Sequence, residues 1–193
     1  MPPPRVADPL AVFGAFADVD DTSYLLSDTY RILQVNRAWT RFALANGGAE
    51  MLGRWGRGAS ALDAVSEDLR GFYRALFDTA LATGERREHD YECSSDQVLR
   101  RFRMFVLPVA PAFLVVMHTL RVEVAHERTA MAADDATYAH GGIIRMCSHC
   151  RRVRVAGPAM EAWHWVPDYV ARMPANVSHG LCAPCAQVYY GVS

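Results

Sequence analysis

Two Cys-x-x-Cys pairs crowd into the last 47 residues of the chain, Cys147 with Cys150 and Cys182 with Cys185. Each spacing lets two sulfurs from one turn reach a single ion. Two such turns complete a tetrahedral four-sulfur site, the arrangement that structural zinc prefers. A gap of 31 residues separates Cys150 from Cys182, which leaves room for a helix over Trp165–Met173 between the turns. A segment this small buries too little surface to stabilise itself, so ligation would contribute much of its folding energy. An iron–sulfur cluster, disulfides and a thioredoxin-like redox pair are the competing uses of the same four residues. Neither pair is followed by His, since Arg151 and Ala186 stand there; covalent haem attachment is thereby disfavoured. His149 and His179 are rival ligands, because imidazole replaces thiolate in zinc sites. With four sulfurs present, each is expected either beside the site, in support of it, or on the surface. Arg151, Arg152 and Arg154 form a small basic run, either a solvated face or a contact for an acidic partner or nucleic acid.

How such thiols are used depends on the compartment. The start, Met-Pro-Pro-Pro-Arg, has no apolar stretch ending in a small-residue cleavage site, so no secretory signal is expected. No apolar run approaches the roughly 20 residues of a membrane span. The expected setting is the cytoplasm, without a membrane, where paired cysteines are metal ligands more often than disulfides. Twenty basic and 21 acidic residues leave a net charge of −1, which gives no global electrostatic case for nucleic acid. A 51% hydrophobic content and 193 residues describe a globular chain with one domain, or one plus a small appendage.

Residues 1–8 carry three prolines and are expected to be mobile. Leu10, Val12, Phe13, Phe16 and Val19 recur at helical spacing behind Asp8 as N-cap, which gives a short amphipathic helix for packing or for a dimer contact. Two short strands, 23–27 and 31–35, are joined at hairpin length. Asn36 caps a helix that carries Ala38, Trp39 and Phe42 and ends at Asn46-Gly47-Gly48. Gly53, Gly56 and Gly58 make 51–58 an irregular loop without a phosphate-binding pattern. Ser66–Thr83 is the clearest helix, with Leu69, Phe72, Leu76 and Phe77 on its stripe. Period-two patterning then marks strands over 86–93, 98–109 and 113–122 as an antiparallel meander. Residues 123–138, rich in Ala and charge, read as a helical connector. Strands, helices and strands in this order give an α+β fold with helices on one face of an antiparallel sheet.

This order resembles a PAS domain. Val35-Asn36-Arg37-Ala38-Trp39 with Phe42 and Ala45-Asn46-Gly47-Gly48, then Tyr91-Glu92-Cys93-Ser94-Ser95 and Arg101-Phe102-Arg103-Met104, are similar to PAS segments of bacterial signalling proteins. Such domains close with an Asp-Ile-Thr-like segment; here the stretch reads His118-Thr119-Leu120-Arg121-Val122. The tail, Cys147 to Arg154, then Trp165-Val166-Pro167, then Ser178-His179-Gly180-Leu181-Cys182-Ala183-Pro184-Cys185, resembles a tail found on bacterial PAS and response-regulator proteins.

The resemblance implies a PAS-like five-stranded antiparallel sheet with helices on one face, plus a small four-cysteine zinc-binding module. The expected divisions are an N-terminal segment with a short helix (1–20), a sensor domain (21–122), a helical linker (123–141) and the zinc-binding module (142–193). A PAS resemblance also implies a cavity for a small-molecule ligand or cofactor. Candidate lining residues are Trp39, Phe77, Tyr91, Phe102, Met104, Val115, Met117 and His118, although core packing is the commoner use of each type. Haem or flavin could fill such a cavity; the Asn-Cys-Arg-Phe-Leu-Gln motif of flavin-adduct PAS domains does not occur in the sequence. Gly-x-Ser-x-Gly, His-Glu-x-x-His and Walker patterns do not occur either. The expectation is a sensory protein, not an enzyme, acting as a homodimer or through a separate protein effector. A cysteine-based redox or metal switch and a zinc-ribbon-like nucleic-acid regulator are the alternatives.

Overall fold

The structure is a computed structural model that describes residues 8–46, 49–157 and 162–191. The proline-rich start up to residue 7 and the Gly47-Gly48 helix end lie outside the described residues. The chain forms two compact units, each assembled from separated stretches. One takes Met1–Val65, Tyr73–Asp90 and Arg103–Leu120, the other Ser66–Phe72, Tyr91–Phe102 and Arg121–Ser193.

The first unit begins with helix α1 (Pro9–Gly14), where Asp8 accepts from the Leu10 N–H and Pro9 stands at the first position. Strands β1 (Thr22–Ser27) and β2 (Ile32–Val35) pair antiparallel. Between them Tyr30 adopts φ 60°, the left-handed conformation that lets so short a connection reverse. Asn36 then caps α2 (Arg37–Ala45), and its buried side chain fastens three segments together. Its Oδ1 accepts from the N–H groups of Trp39 at 2.9 Å and Ser23 at 3.1 Å. Its Nδ2 donates to the carbonyls of Asp21 at 2.9 Å, Phe16 at 3.1 Å and Val19 at 3.3 Å.

Residues 51–55, expected as the first part of a loop over 51–58, belong instead to helix α3 (Ala49–Trp55). Gly53 within it is about 1 kcal/mol less favourable than Ala, a deficit small enough for packing on α2 to outweigh. The helix stops where Gly56 turns back so tightly that any Cβ would run into the Leu52 carbonyl oxygen. Helix α4 (Glu67–Thr83) follows, then β3 (Arg87–Glu92), β4 (Val98–Ala110) and β5 (Phe113–Ala125). The five strands form an antiparallel sheet in the order β2-β1-β5-β4-β3.

Strand alternation sorts the sheet residues into two faces. Phe13 of α1 packs with Leu25 and Val115, flanked by Phe16, Leu33, Leu107 and Val109, on one face. Tyr24, Leu26, Met104, Val106, Leu114 and Val116 belong to the other, and all but Tyr24 are fully buried. The amphipathic N-terminal helix is therefore used for packing on the sheet.

The expected helical connector does not form. Strand β5 runs on to Ala125, held by the His126 N–H on the Gln97 carbonyl and an Arg100–Glu123 ion pair at 2.6 Å. Only α5 (Asp135–Tyr138) is helical, capped by Asp134. Leu120, Val122 and Val124 alternate with Arg121, Glu123 and Ala125, and that period of two prevails over the helical propensity of the alanines.

The second unit continues with β6 (Ala139–His140), β7 (Ile143–Cys147), β8 (Val153–Arg154), β9 (Trp163–His164), α6 (Pro167–Ala171), β10 (Val177–Gly180) and α7 (Ala183–Tyr190). The expected Trp165–Met173 helix is thus the shorter α6, opened by Pro167. The strands run β10-β7-β8-β9, with β6 also on β7. Ile144, Met146, Val153, Val166, Tyr138 and Tyr169 form its core. Among the described residues no helix is long and apolar enough to cross a membrane.

Candidate metal centre

The first cysteine pair sits on the turn between β7 and β8. The Cys147 N–H donates to the Arg152 carbonyl at 2.8 Å, and the Arg151 N–H to the Cys147 carbonyl at 3.1 Å. Arg151 takes φ 61°, a left-handed conformation that a non-glycine residue adopts at a cost of about 1 kcal/mol. The second pair opens α7, with Cys182 at the N-cap and Pro184 at the helix start. What joins the pairs is a parallel ladder: β10 runs beside β7 with Gly180 opposite Cys147, and the Ser148 N–H donates to the Gly180 carbonyl at 2.8 Å.

The four sulfurs consequently converge. All four cysteines are buried, and their Sγ atoms lie within 4.8 Å of one another. Cys150 Sγ and Cys182 Sγ are 3.7 Å apart, and all four thiols are free. Zinc–sulfur bonds of about 2.3 Å put the sulfurs of a tetrahedral site about 3.8 Å apart. The donor set therefore fits a soft, four-coordinate cation, with Cys147, Cys150, Cys182 and Cys185 as its holders. Mutual hydrogen bonding among the four thiols lowers the pKa of Cys147 and raises those of Cys150 and Cys185, so they share protons within one cluster, and a metal would have to displace those protons to bind.

Of the two rival histidines, neither is one of the four clustered groups. His149 lies beside them. Its Nε2 accepts from the Glu92 N–H at 2.9 Å, which leaves the proton on Nδ1, 3.3 Å from Cys185 Sγ. An N–H aimed at that sulfur draws charge from it, much as outer hydrogen bonds tune a bound metal. His179 is exposed on β10.

A second layer of this site has no local signature in the sequence. Arg128 donates to the Cys150 carbonyl at 2.9 Å and to Glu92 Oε2 at 2.7 Å, and its guanidinium covers the Trp165 ring at 4.9 Å. Ser94 Oγ donates to Glu92 Oε1 at 2.8 Å. Ser148 Oγ donates to Asp68 Oδ1 at 2.9 Å, and the Tyr190 hydroxyl donates to the Asp68 carbonyl. Phe72 and His149 both meet the Tyr189 ring edge to face, at 4.9 and 5.2 Å. Arg128 and Cys150 are 22 residues apart in the chain, and Asp68 and Tyr190 are 122 apart, separations beyond any local pattern.

The eight candidate cavity residues are not gathered into one lining. Phe102 and Met104 share a face of β4, and Tyr91 stacks on Phe102 at 5.5 Å. On β5, His118 has the opposite parity to Val115 and Met117, and Val115 packs under Phe13. Phe77 is buried beside the Tyr30 ring at 6.1 Å, and Trp39 is half-buried in the first turn of α2. Cys93 is exposed.

His118 lies 5.6 Å from the Tyr24 ring, and burial lowers its pKa to about 4. Above the unfolded value near 6.5, both states are neutral and the group has no effect. As the pH falls below about 6.5 the unfolded chain takes up a proton that the folded chain refuses. Stability is therefore lost between about pH 6.5 and 4, by at most about 3 kcal/mol. Replacing His118 with Gln should flatten the fall in urea-unfolding free energy between about pH 7 and 4.5. Equal falls in variant and parent would contradict the assignment.

No family model matches the chain, and no curated protein matches it at a significant level. Solved structures do. A domain of an HTR-like protein from Haloarcula marismortui is 13% identical over 53% of this chain and 99% of that one, with a TM-score of 0.41. The PAS domain of BvgS from Bordetella pertussis is 13% identical over 60% of this chain and 87% of its own, with a TM-score of 0.38. A phage VqmA chain, solved as a complex with DPO, is 11% identical over 57% of this chain, with a TM-score of 0.43; this chain spans 51% of it. Identities and TM-scores this low mark similarity in outline.

Proposed function

We propose that this chain is a bacterial sensory protein whose PAS-like part detects a small ligand or a partner, and whose zinc-stabilised tail delivers the output by binding another protein. Four buried thiols within 4.8 Å of one another carry the reading. Four thiolates saturate a zinc ion and leave no open position for a substrate, so the ion would serve structure, not catalysis. The PAS-like motifs of the sequence, together with the five-stranded sheet and its helices, support the sensory half. In this reading the sensor spans residues 21–122, a linker 123–141 and the output module 142–193. The protein works as a cytoplasmic homodimer, a setting that suits its free thiols.

Elemental analysis of the purified protein before and after hydrogen peroxide tests the reading. The expected result is colourless protein with about one zinc per chain, retained under peroxide. Absence of bound zinc, or a coloured iron–sulfur chromophore, would overturn it. The second reading, a redox switch, draws on the 3.7 Å between Cys150 and Cys182. Two thiolates would give two electrons to hydrogen peroxide, which takes up two protons and leaves as water, and the sulfurs would join as a disulfide. Zinc release with thiol loss that a reductant reverses would establish the switch in place of the structural ion.

A further inference from the structure

Strand β5 outruns the strand beside it. β1 pairs with β5 from Ser27 opposite Phe113 to Thr22 opposite His118, and just beyond, the Thr119 hydroxyl donates to Asp21 Oδ2 at 2.8 Å. From Leu120 to Ala125 the strand keeps β4 as its neighbour, and among the described residues no strand pairs along its other edge. An open edge recruits a further strand unless proline, lysine, a bulge or a covering element blunts it. Leu120–Ala125 holds neither proline nor lysine, and all six residues are exposed. Leu120, Val122 and Val124 alternate along one face, at 44%, 37% and 50% exposure. Arg121 and Glu123 alternate with them. Arg100 of β4 donates to Glu123 Oε2 at 2.6 Å, and the Glu123 side chain is still 49% exposed.

The run Leu120-Arg121-Val122-Glu123-Val124 complements its own reverse. In an antiparallel pairing centred on Val122, that residue meets its equivalent on a second copy, Leu120 meets Val124, and Arg121 meets Glu123 on both sides of the centre. Moving the centre to Arg121 or to Glu123 sets like charges face to face, which destabilises a strand pair. From the open edge and this charge order we infer that Leu120–Ala125 is the strand through which two copies of the chain join, antiparallel, about a two-fold axis at Val122. A two-fold contact requires a surface that complements itself. Backbone hydrogen bonds supply the affinity, the two Arg121–Glu123 pairs set the register, and the apolar stripes of the two copies run on into each other. An edge this short buries less than about 1,200 Å², which makes the dimer a weak, exchanging one. The inference rests on the homodimer proposed above and assigns its interface.

The test is sedimentation equilibrium of the full-length, metal-loaded protein. The parent should show a monomer–dimer equilibrium with a dissociation constant between about 1 and 100 µM. Arg121→Glu and Glu123→Arg each create two like-charge pairs in their own dimers, and each should weaken association about tenfold or more. An equimolar mixture of the two variants puts opposite charges face to face again. It should form a heterodimer, identified by native mass spectrometry, at least about tenfold tighter than either variant alone. Val122→Lys sets two ammonium groups at the centre of the pairing and should also weaken association about tenfold or more, with metal content and the NMR dispersion of the folded chain unchanged. A dimer indifferent to Arg121→Glu and Val122→Lys would overturn this interface and keep the homodimer. A parent protein still monomeric at about 1 mM would overturn both. A mixture that associates no better than its components would refute the pairing of Arg121 with Glu123 across copies, and the inference with it.

Discussion

Cys147→Ser should strip the protein of its metal and unravel the second unit, while the β1–β2 hairpin and the α1-covered sheet face of the first unit persist. Cys147 is fully buried, ends β7 and is one of the four sulfurs gathered within 4.8 Å of one another. A serine hydroxyl at that position is a hard donor that stays protonated, so three thiolates remain where four are needed. Zinc contributes about 10–16 kcal/mol of apparent binding free energy in small zinc-folded peptides, far more than the small core of Ile144, Met146 and Val153 can replace. Metal content should fall from about one ion per chain to almost none. NMR signals of β7, β8 and α7 should collapse into the unfolded range. Equal zinc in variant and parent would remove Cys147 from the ligand set.

Arg128→Met should destabilise the second unit by about 3–5 kcal/mol. Its ion pair with Glu92 is the best shielded among the described residues, with side-chain exposures of 16% and 7%. Exposed pairs contribute 1 kcal/mol or less, roughly, because water already solvates both charges. Here methionine fills much of the volume but leaves the Glu92 carboxylate in a place where it cannot be hydrated, with Ser94 as its remaining donor. The first cysteine turn also loses the bond that Arg128 gives to the Cys150 carbonyl. Adding Glu92→Gln should restore a large share of the lost stability, since no charge then remains buried. Urea unfolding of the three variants measures both effects. A loss below about 1 kcal/mol, or no recovery in the double variant, would show that the pair is effectively solvated.

Much of this architecture is legible one segment at a time. Asp8 and Asn36 cap the helices that their side-chain chemistry suits, and the hairpin around Tyr30 follows from two short apolar runs. The cysteine spacing leads to a cluster because each pair needs only its own turn. Errors arise where a local preference meets a stronger tertiary demand. Three glycines suggested a loop where α3 forms, and alanines suggested a helix where β5 continues its ladder. The division of β5 between two faces explains the cavity candidates: an unbroken apolar run, Leu114-Val115-Val116, hides its period, and α1 supplies a second apolar environment for Val115. The support around the cysteines was illegible for another reason. Glu92, Ser94 and Arg128 are ordinary polar residues of strand and loop, and only the folded chain brings them to His149 and Cys150.

The parallel seating of β10 on β7 has a bearing on metal choice. Backbone hydrogen bonds, which are blind to ionic radius, fix how closely the two thiol turns approach. A larger thiophilic ion such as cadmium can then be admitted by rotation about the cysteine χ1 bonds, with the ladder intact. Such a cage would be promiscuous toward soft divalent ions, and abundance in the surroundings would decide its occupant more than the fit of the sulfurs.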